Sequence, residues 1–156
     1  MRLDIPEHKI LVHDVTLPVY WGDMDALGHV NNTVYFRYME QVRVSWIASM
    51  SGPVTSGVEG PVIANTFCNF YRELEFPAQV IAKLYVANPG RTSFDTYVTI
   101  ERADEPGDIC AAGGATLVWV SSAERRPIPL PPFLRAIVGP APALPGTEAP
   151  PALPGK

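Results

Sequence analysis

A long segment without glycine or proline, Val30–Ser51, constrains the fold of this chain more than any other feature. Its apolar side chains recur at the three- and four-residue spacing of an α-helix, whereas Arg37, Glu40 and Arg43 take other faces. We therefore expect a helix of about five turns whose apolar face packs on a sheet. That face comprises Val34, Tyr35, Tyr38, Met39, Val42, Trp46 and Met50.

Both ends of this segment carry residues that terminate helices. Asn31 or Asn32 is suited to cap the start, because a side-chain oxygen can accept a hydrogen bond from an unpaired main-chain N–H. Ser51-Gly52-Pro53 supplies a glycine and a proline that end a helix. The sequence thus predicts one bounded helix directly after a turn-rich stretch.

The other regular segments have the two-residue period of β-strands. Ile10–Tyr20 is rich in Val, Leu and Thr, and Pro18 indicates either a sheet edge or an irregular strand end there. In Val62–Phe76 the alternation predicts a long strand with one buried face, which includes Cys68 and Phe70. The further predicted strands are Gln79–Ala87, Ser93–Glu101 and Ile109–Ser121.

The order strand, long helix, then four strands predicts an α+β domain with one antiparallel, five-stranded sheet on one principal helix. Residues 1–138 form this domain, with a short helix within Pro129–Val138. Residues 139–156 are rich in proline and hold no aromatic side chain, so we expect a disordered tail.

Charge and composition exclude several classes of protein. The formal net charge of -4 provides no global attraction for nucleic acid or an anionic membrane surface. No window approaches 18 consecutive apolar residues, the length expected of a membrane-spanning helix. Cys68 and Cys110 stand apart in apolar surroundings, which is typical of free thiols in a reducing cytosol. We therefore expect a soluble, cytoplasmic protein.

The stretch Tyr20–Asn32 places two aspartates, a histidine and two asparagines directly before the predicted helix. One interpretation is an ordinary capped helix after a turn, because Asp, Asn and Gly are common turn residues. Helix N-termini also stabilise negative charge, and a buried aspartate there is costly unless it has a function. Thioester hydrolysis uses such a setting, in which main-chain donors bind the oxyanion and a carboxylate supplies or activates the nucleophile.

This stretch resembles the hotdog-fold acyl-CoA thioesterases related to 4-hydroxybenzoyl-CoA thioesterase, in the subgroup with the pattern Asp-x-x-x-His-Val-Asn-Asn-x-x-Tyr. The similarity extends over roughly residues 10–125. It implies a sheet wrapped round a central helix and hydrolysis of an acyl-CoA to a free acid. The pattern falls on Asp25, His29, Val30, Asn31, Asn32 and Tyr35, and continues through Tyr71-Arg72-Glu73 and Gly90-Arg91-Thr92-Ser93.

The resemblance also implies roles for individual residues. The catalytic carboxylate falls on Asp25, four residues before His29, while Asp23 shapes the turn. The oxyanion donor falls on the main-chain N–H of Asn32. Asp25 acts either as a general base on water, which we favour, or as a nucleophile. For His29 a structural hydrogen bond is favoured over proton transfer, and for Asn31 a helix cap over a bond to substrate.

The resemblance also suggests where substrate binds. Tyr35 is a candidate for the acyl pocket, although an aromatic residue at helical spacing is more often core. Arg91 and the nearby Ser93, with Arg72 and Lys83 as weaker candidates, are expected to bind the coenzyme A phosphates, although solvated surface charge is the commoner reason for a single arginine. Coenzyme A is then part of the substrate and no cofactor is needed. Such enzymes assemble as homodimers or dimers of dimers, which we expect here.

Other chemistries are less well supported by the sequence. The three histidines are scattered and far from both cysteines, so no zinc site is predicted. No Gly-x-Ser-x-Gly stretch is present, which argues against a serine hydrolase. The alternatives are a hotdog hydratase or dehydratase acting on acyl thioesters, or a non-catalytic protein that binds them.

Overall fold

The computed structural model describes residues 3–51 and 58–142, which form one antiparallel sheet packed on a long helix. The strands are β1 (Ile10–Val19), β2 (Glu59–Phe70), β3 (Ala78–Ala87), β4 (Ser93–Arg102), β5 (Ile109–Ser121) and β6 (Arg126–Pro127). The helices are α1 (Asn32–Ser51) and α2 (Pro132–Val138). A 3₁₀ turn at Trp21–Asp23 follows β1.

The sheet has the order β1-β3-β4-β5-β2, and β6 pairs with the end of β5. The predicted five strands and their antiparallel pairing are confirmed, and the two-residue β6 is an addition that the sequence did not suggest. β1 is an edge strand, which is one of the two alternatives that Pro18 indicated, and β3 and β4 form an antiparallel hairpin. β2 forms the other edge.

The core lies between α1 and the inner face of the sheet. Met39 and Val42 of α1 are fully buried, and the Trp46 ring packs edge-on against Phe94 of β4 at 6.1 Å. The predicted apolar face of the helix is therefore the one that packs on the sheet. The buried strand residues on this side include Val80, Ala82, Leu84, Val98, Ile100 and Leu117.

The prediction for Val62–Phe76 is wrong in its limits and in its buried face. The strand starts at Glu59 and ends at Phe70, because the chain turns away where two successive N–H groups donate to the Cys110 carbonyl. A register shift between Ile63 and Asn65 interrupts the alternation, as a bulge does. Since β2 is an edge strand, Val62 and Phe70 remain exposed.

Arg43 also departs from the prediction, which gave it a polar face of α1. Only 8% of this residue is exposed, and its Nη1 has no hydrogen-bond partner among the described residues. Burial lowers the pKa of its guanidinium from the usual value. The apolar stripe of the helix is thus wide enough to cover a charged residue at its margin.

Gly52 and Pro53, the predicted end of the helix, and residues 143–156 of the predicted tail lie outside the described residues. The short helix predicted within Pro129–Val138 is found as α2. No helix in the described ranges is both long and apolar enough to cross a membrane.

Candidate active site

The loop between β1 and α1 is held by Asp23, which is buried. Its carboxylate accepts a hydrogen bond from the Tyr20 N–H at 2.8 Å, another from the Tyr38 hydroxyl at 3.2 Å, and forms an ion pair with Arg37. Burial raises the pKa of Asp23, but these donors outweigh it and leave the pKa below the usual value. Asp23 therefore shapes the turn, as the sequence predicted.

Main-chain hydrogen bonds close the next part of this loop. The Asp25 N–H donates to the His29 carbonyl at 3.0 Å, and the Gly28 N–H donates to the Asp25 carbonyl at 3.0 Å. Gly28 has a φ of 82°, a conformation that glycine adopts without steric cost. The Val30 N–H donates to the Leu74 carbonyl at 2.8 Å, which fixes the loop to the segment after β2.

The Asp25 carboxylate is exposed, whereas the sequence argument pictured a buried aspartate at this place. It is Asp23 that is buried, and Asp25 faces outward from the loop. Asp25 is nevertheless oriented, because Oδ1 accepts the Leu27 N–H at 2.9 Å and Oδ2 accepts the Asn31 side-chain amide at 3.1 Å. Each oxygen of the Asp25 carboxylate can still accept a further hydrogen bond.

Asn31 caps helix α1, which begins at Asn32. Its Oδ1 accepts the Thr33 N–H at 3.0 Å and the Thr33 hydroxyl at 2.7 Å. The same side chain donates to Asp25, so one asparagine links the helix cap to the carboxylate. Within the described part of the chain, the Asn32 N–H has no hydrogen-bond acceptor, and it lies at the positive end of the helix.

An open cleft of about 360 Å³ brings these groups together. The predicted site residues Asp25, His29, Asn32, Tyr35 and Arg72 all line it. Its other lining residues are Leu27, Val30, Phe70, Tyr71 and Glu73. A carboxylate and a helix N-terminus thus face one cavity that also offers apolar and aromatic surface.

Tyr35 is both a core residue and part of the cleft wall. It is buried, and its ring packs edge-on against Phe70 at 5.1 Å and Tyr38 at 6.2 Å. Burial raises the pKa of its phenol to about 12, so the hydroxyl is neutral at physiological pH. Tyr35 therefore contributes shape and a neutral hydroxyl to the cleft.

His29 has two partners that the sequence did not suggest, Glu73 and Glu75. Its Nε2 lies 3.0 Å from Glu73 Oε2 and 3.6 Å from Glu75 Oε1. The favoured structural role of His29 agrees with these contacts. Glu73 belongs to the Tyr71-Arg72-Glu73 stretch of the resemblance, but neither glutamate was predicted to contact His29, because contact with a residue more than forty positions earlier leaves no local signal.

These three residues also form the candidate cation site of the described ranges, since their ligand atoms lie within 4.8 Å of one another. The prediction of no metal considered only histidines and cysteines as ligands, and so did not examine this group. A His and two carboxylates are suitable ligands for a divalent ion such as Zn²⁺. Ordinary ion pairs between His29 and the two glutamates would have the same geometry, and both glutamates are largely exposed.

Arg72 is less available than its place in the cleft suggests. Its Nη1 contacts Asp108 and its Nη2 lies 3.6 Å from Glu105, both in the turn between β4 and β5. These acids hold the guanidinium at the sheet edge. Arg72 would have to give up these partners to bind a phosphate.

Arg91 and Ser93 do not lie in this cleft. Arg91 lies in the turn between β3 and β4 and Ser93 is the first residue of β4, whereas the loop that holds Asp25 adjoins the opposite end of β3. Ten residues of strand separate the two ends, a distance of roughly 30 Å. Their main-chain groups stabilise the turn and α2, because Ser93 accepts the Gly90 N–H and Arg91 accepts the Leu130 N–H.

Comparisons with known proteins agree with this fold. The sequence profile of the thioesterase-like superfamily matches residues 19–138. The PA2801 protein of Pseudomonas aeruginosa, named as a candidate thioesterase, is 36% identical, with a TM-score of 0.79 over 81% of this chain and 98% of that one. A candidate acyl-CoA thioesterase from Xanthomonas campestris is 31% identical, with a TM-score of 0.67 over 72% and 95%.

A thioesterase from Thermus thermophilus, solved with coenzyme A and zinc, is 28% identical to this chain. Its TM-score is 0.71, over 82% of this chain and 92% of that one. These proteins share the long helix on an antiparallel sheet, so the predicted hotdog fold is confirmed.

Proposed function

The chain belongs to the thioesterase-like superfamily, and from this premise we propose that it hydrolyses acyl-CoA thioesters to a free carboxylic acid and coenzyme A. The observation that supports the proposal most directly is that Asp25 and Asn32, the first residue of α1, line the same cleft. Hydrolysis of a thioester needs a base or nucleophile on one side of the carbonyl and an oxyanion donor on the other.

In the proposed reaction Asp25 accepts a proton from water while the water oxygen attacks the thioester carbonyl carbon. The oxyanion of the tetrahedral intermediate accepts a hydrogen bond from the Asn32 N–H, at the positive end of the helix. When the intermediate collapses, the C–S bond breaks and coenzyme A leaves as a thiolate, which takes up the proton. The reaction requires no cofactor.

Two donors orient the Asp25 carboxylate, and it has no bonded cation among the described residues, which supports this role. Asn31 orients the carboxylate and caps the helix at once, so we assign it to positioning. His29 is held by Glu73 and Glu75, which supports a positioning role for it as well. Direct attack by Asp25 to give an anhydride is the alternative, and we favour the base mechanism because the carboxylate already accepts two hydrogen bonds.

We further propose that the chain acts as a homodimer paired along β2. β2 is an edge strand with exposed apolar side chains, including Val62, Ile63 and Phe70. Phe70 also lines the cleft, so a second copy on this edge would reach the site. Pairing would satisfy the free strand edge and cover apolar surface.

The decisive experiment incubates the purified protein with acyl-CoA esters of varied chain length and aromatic content, and measures thiol release. The Asp25→Asn variant should lose about 3–5 kcal/mol of transition-state stabilisation in kcat/KM, with little change in stability. Asp14→Asn, the same change on an exposed residue of β1, serves as the control and should retain activity. The proposal fails if no ester releases thiol or if Asp25→Asn is as active as the wild type.

A further inference from the structure

One wall of the cleft carries excess negative charge. His29 Nε2 is shared between Glu73 at 3.0 Å and Glu75 at 3.6 Å. Even a protonated imidazole balances only one of these two carboxylates. Glu73 lines the cleft, whereas Glu75 adjoins it through its contact with His29. Both side chains are largely exposed, at 70% and 63%, so neither charge is shielded by burial.

No other cation compensates for this charge among the described residues that line the cleft. Arg72 is the one lysine or arginine in that lining, and its guanidinium already contacts Asp108 and lies 3.6 Å from Glu105. Asp25 receives both of its hydrogen bonds from uncharged groups. The carboxylates of the cleft and its rim therefore outnumber the cations.

The rest of the lining is suited to an uncharged group. Leu27 and Phe70 present apolar surface, and the buried Tyr35 adds an aromatic ring. A carboxylate at the end of an acyl chain would meet like charge here and would find no free counter-ion. An alkyl or aryl group could be buried against these apolar and aromatic side chains.

We propose that this cleft selects acyl groups without negative charge and discriminates against thioesters of dicarboxylic acids. The inference rests on the proposed function, because it assigns the substrate class of the same site. Glu73 and Glu75 are its specificity-determining residues. The cleft also repels the phosphates of coenzyme A, which must lie away from this wall.

The test compares pentanoyl-CoA with glutaryl-CoA, which have the same number of acyl carbons and differ in a terminal methyl or carboxylate. We expect kcat/KM to favour pentanoyl-CoA at least tenfold in low salt, and the preference to shrink as salt screens the charges. EDTA is included, because a divalent ion held by His29, Glu73 and Glu75 would cancel the negative charge.

The double variant Glu73→Gln/Glu75→Gln should reduce this preference at least threefold. Glu7→Gln is the matched control, since it removes an exposed carboxylate near Asn88 at the far end of β3 and should leave the preference unchanged. A wild-type enzyme that hydrolyses both esters equally would overturn the inference. The same holds for a double variant whose preference equals that of the wild type.

Binding of non-hydrolysable thioether analogues of the two esters separates this inference from the proposed catalysis. By calorimetry on the intact protein, the pentanoyl analogue should bind at least fivefold more tightly than the glutaryl analogue. Absence of binding for both, or tighter binding of the glutaryl analogue, contradicts the inference. If the selectivity appears in binding while no ester is hydrolysed, charge selection stands and the proposed hydrolysis fails.

Discussion

Asp23 and Asp25 are two residues apart, yet their surroundings give them different tasks. Asp23 is buried, paired with Arg37 and bonded to the Tyr20 N–H, so it fixes the loop. Asp25 is exposed in the cleft and is held by a main-chain N–H and an amide. Asp23 therefore fixes the loop in which Asp25 is oriented.

Replacement of Asp23 tests this division at the residue scale. Because the pKa of Asp23 in the fold is below its ordinary value of 3.8, its ionised form stabilises the protein at neutral pH. That contribution is lost as the pH falls through the folded-state pKa. Asp23→Asn should thus lower the free energy of unfolding by about 1–3 kcal/mol at pH 7 and by less near pH 3.

Urea denaturation of the wild type and Asp23→Asn at both pH values measures this difference, with Asp14→Asn as the control for loss of an exposed acid. Equal stability of wild type and Asp23→Asn at pH 7 would show that the Arg37 contact contributes nothing net.

At the scale of elements, the junction between the loop and α1 joins stability to the site. Asn31 caps the helix through Thr33 and also donates to Asp25, so a single side chain serves both.

The other critical junction is between β2 and β5. A Cβ on Gly113 would lie 2.2 Å from the Phe67 carbonyl oxygen, which belongs to the backbone of the neighbouring strand.

Two substitutions separate the roles of Asn31. Asn31→Ala removes the cap and the donor, and should cost about 1 kcal/mol of stability and lower kcat. Asn31→Ser keeps an oxygen that can cap the helix but lacks the amide that donates to Asp25. Its free energy of unfolding should therefore stay within about 0.5 kcal/mol of the wild type, while kcat falls as in Asn31→Ala. Thermal unfolding and steady-state kinetics measure these effects. Full activity of Asn31→Ser would remove Asn31 from the positioning of Asp25.

Gly113→Ala tests the close approach of β2 and β5. The added methyl must push strand backbone aside, so we expect a loss of at least about 2 kcal/mol in the free energy of unfolding. Gly60→Ala is the matched control in β2, because nothing lies within 4 Å of the added Cβ. Chemical denaturation compares the two, and similar losses for both would contradict the steric explanation.

At the scale of the whole molecule, the two sheet edges differ in their relation to the cleft. β2 ends at Phe70, which lines the cleft, and exposes apolar side chains along its length. β1 contains Pro18 and forms the opposite edge. A second copy paired on β2 would both cover apolar surface and approach the cleft.

Ile63→Lys tests the proposed assembly, since it places a charge on the exposed edge of β2, where 46% of Ile63 is exposed. We expect the dimer to dissociate and kcat/KM to fall at least tenfold, about 1.4 kcal/mol. Leu11→Lys on β1, at a residue that is 54% exposed, is the matched control and should remain dimeric. Sedimentation velocity at micromolar concentration measures the mass, and a monomeric wild type would refute the proposal.

The sequence by itself determined the helix, the order of helix and strands along the chain and the loop that holds Asp25, because these follow from local periodicity, capping residues and a compact motif. The limits of β2 and the exposure of its side chains were not predictable, because they depend on a bulge and on its place at the sheet edge. Only the tertiary structure brought Glu73 and Glu75 to His29 and separated Arg91 and Ser93 from Asp25. Contacts between distant segments follow from how the sheet folds round the helix, which leaves no mark on the spacing of the residues concerned.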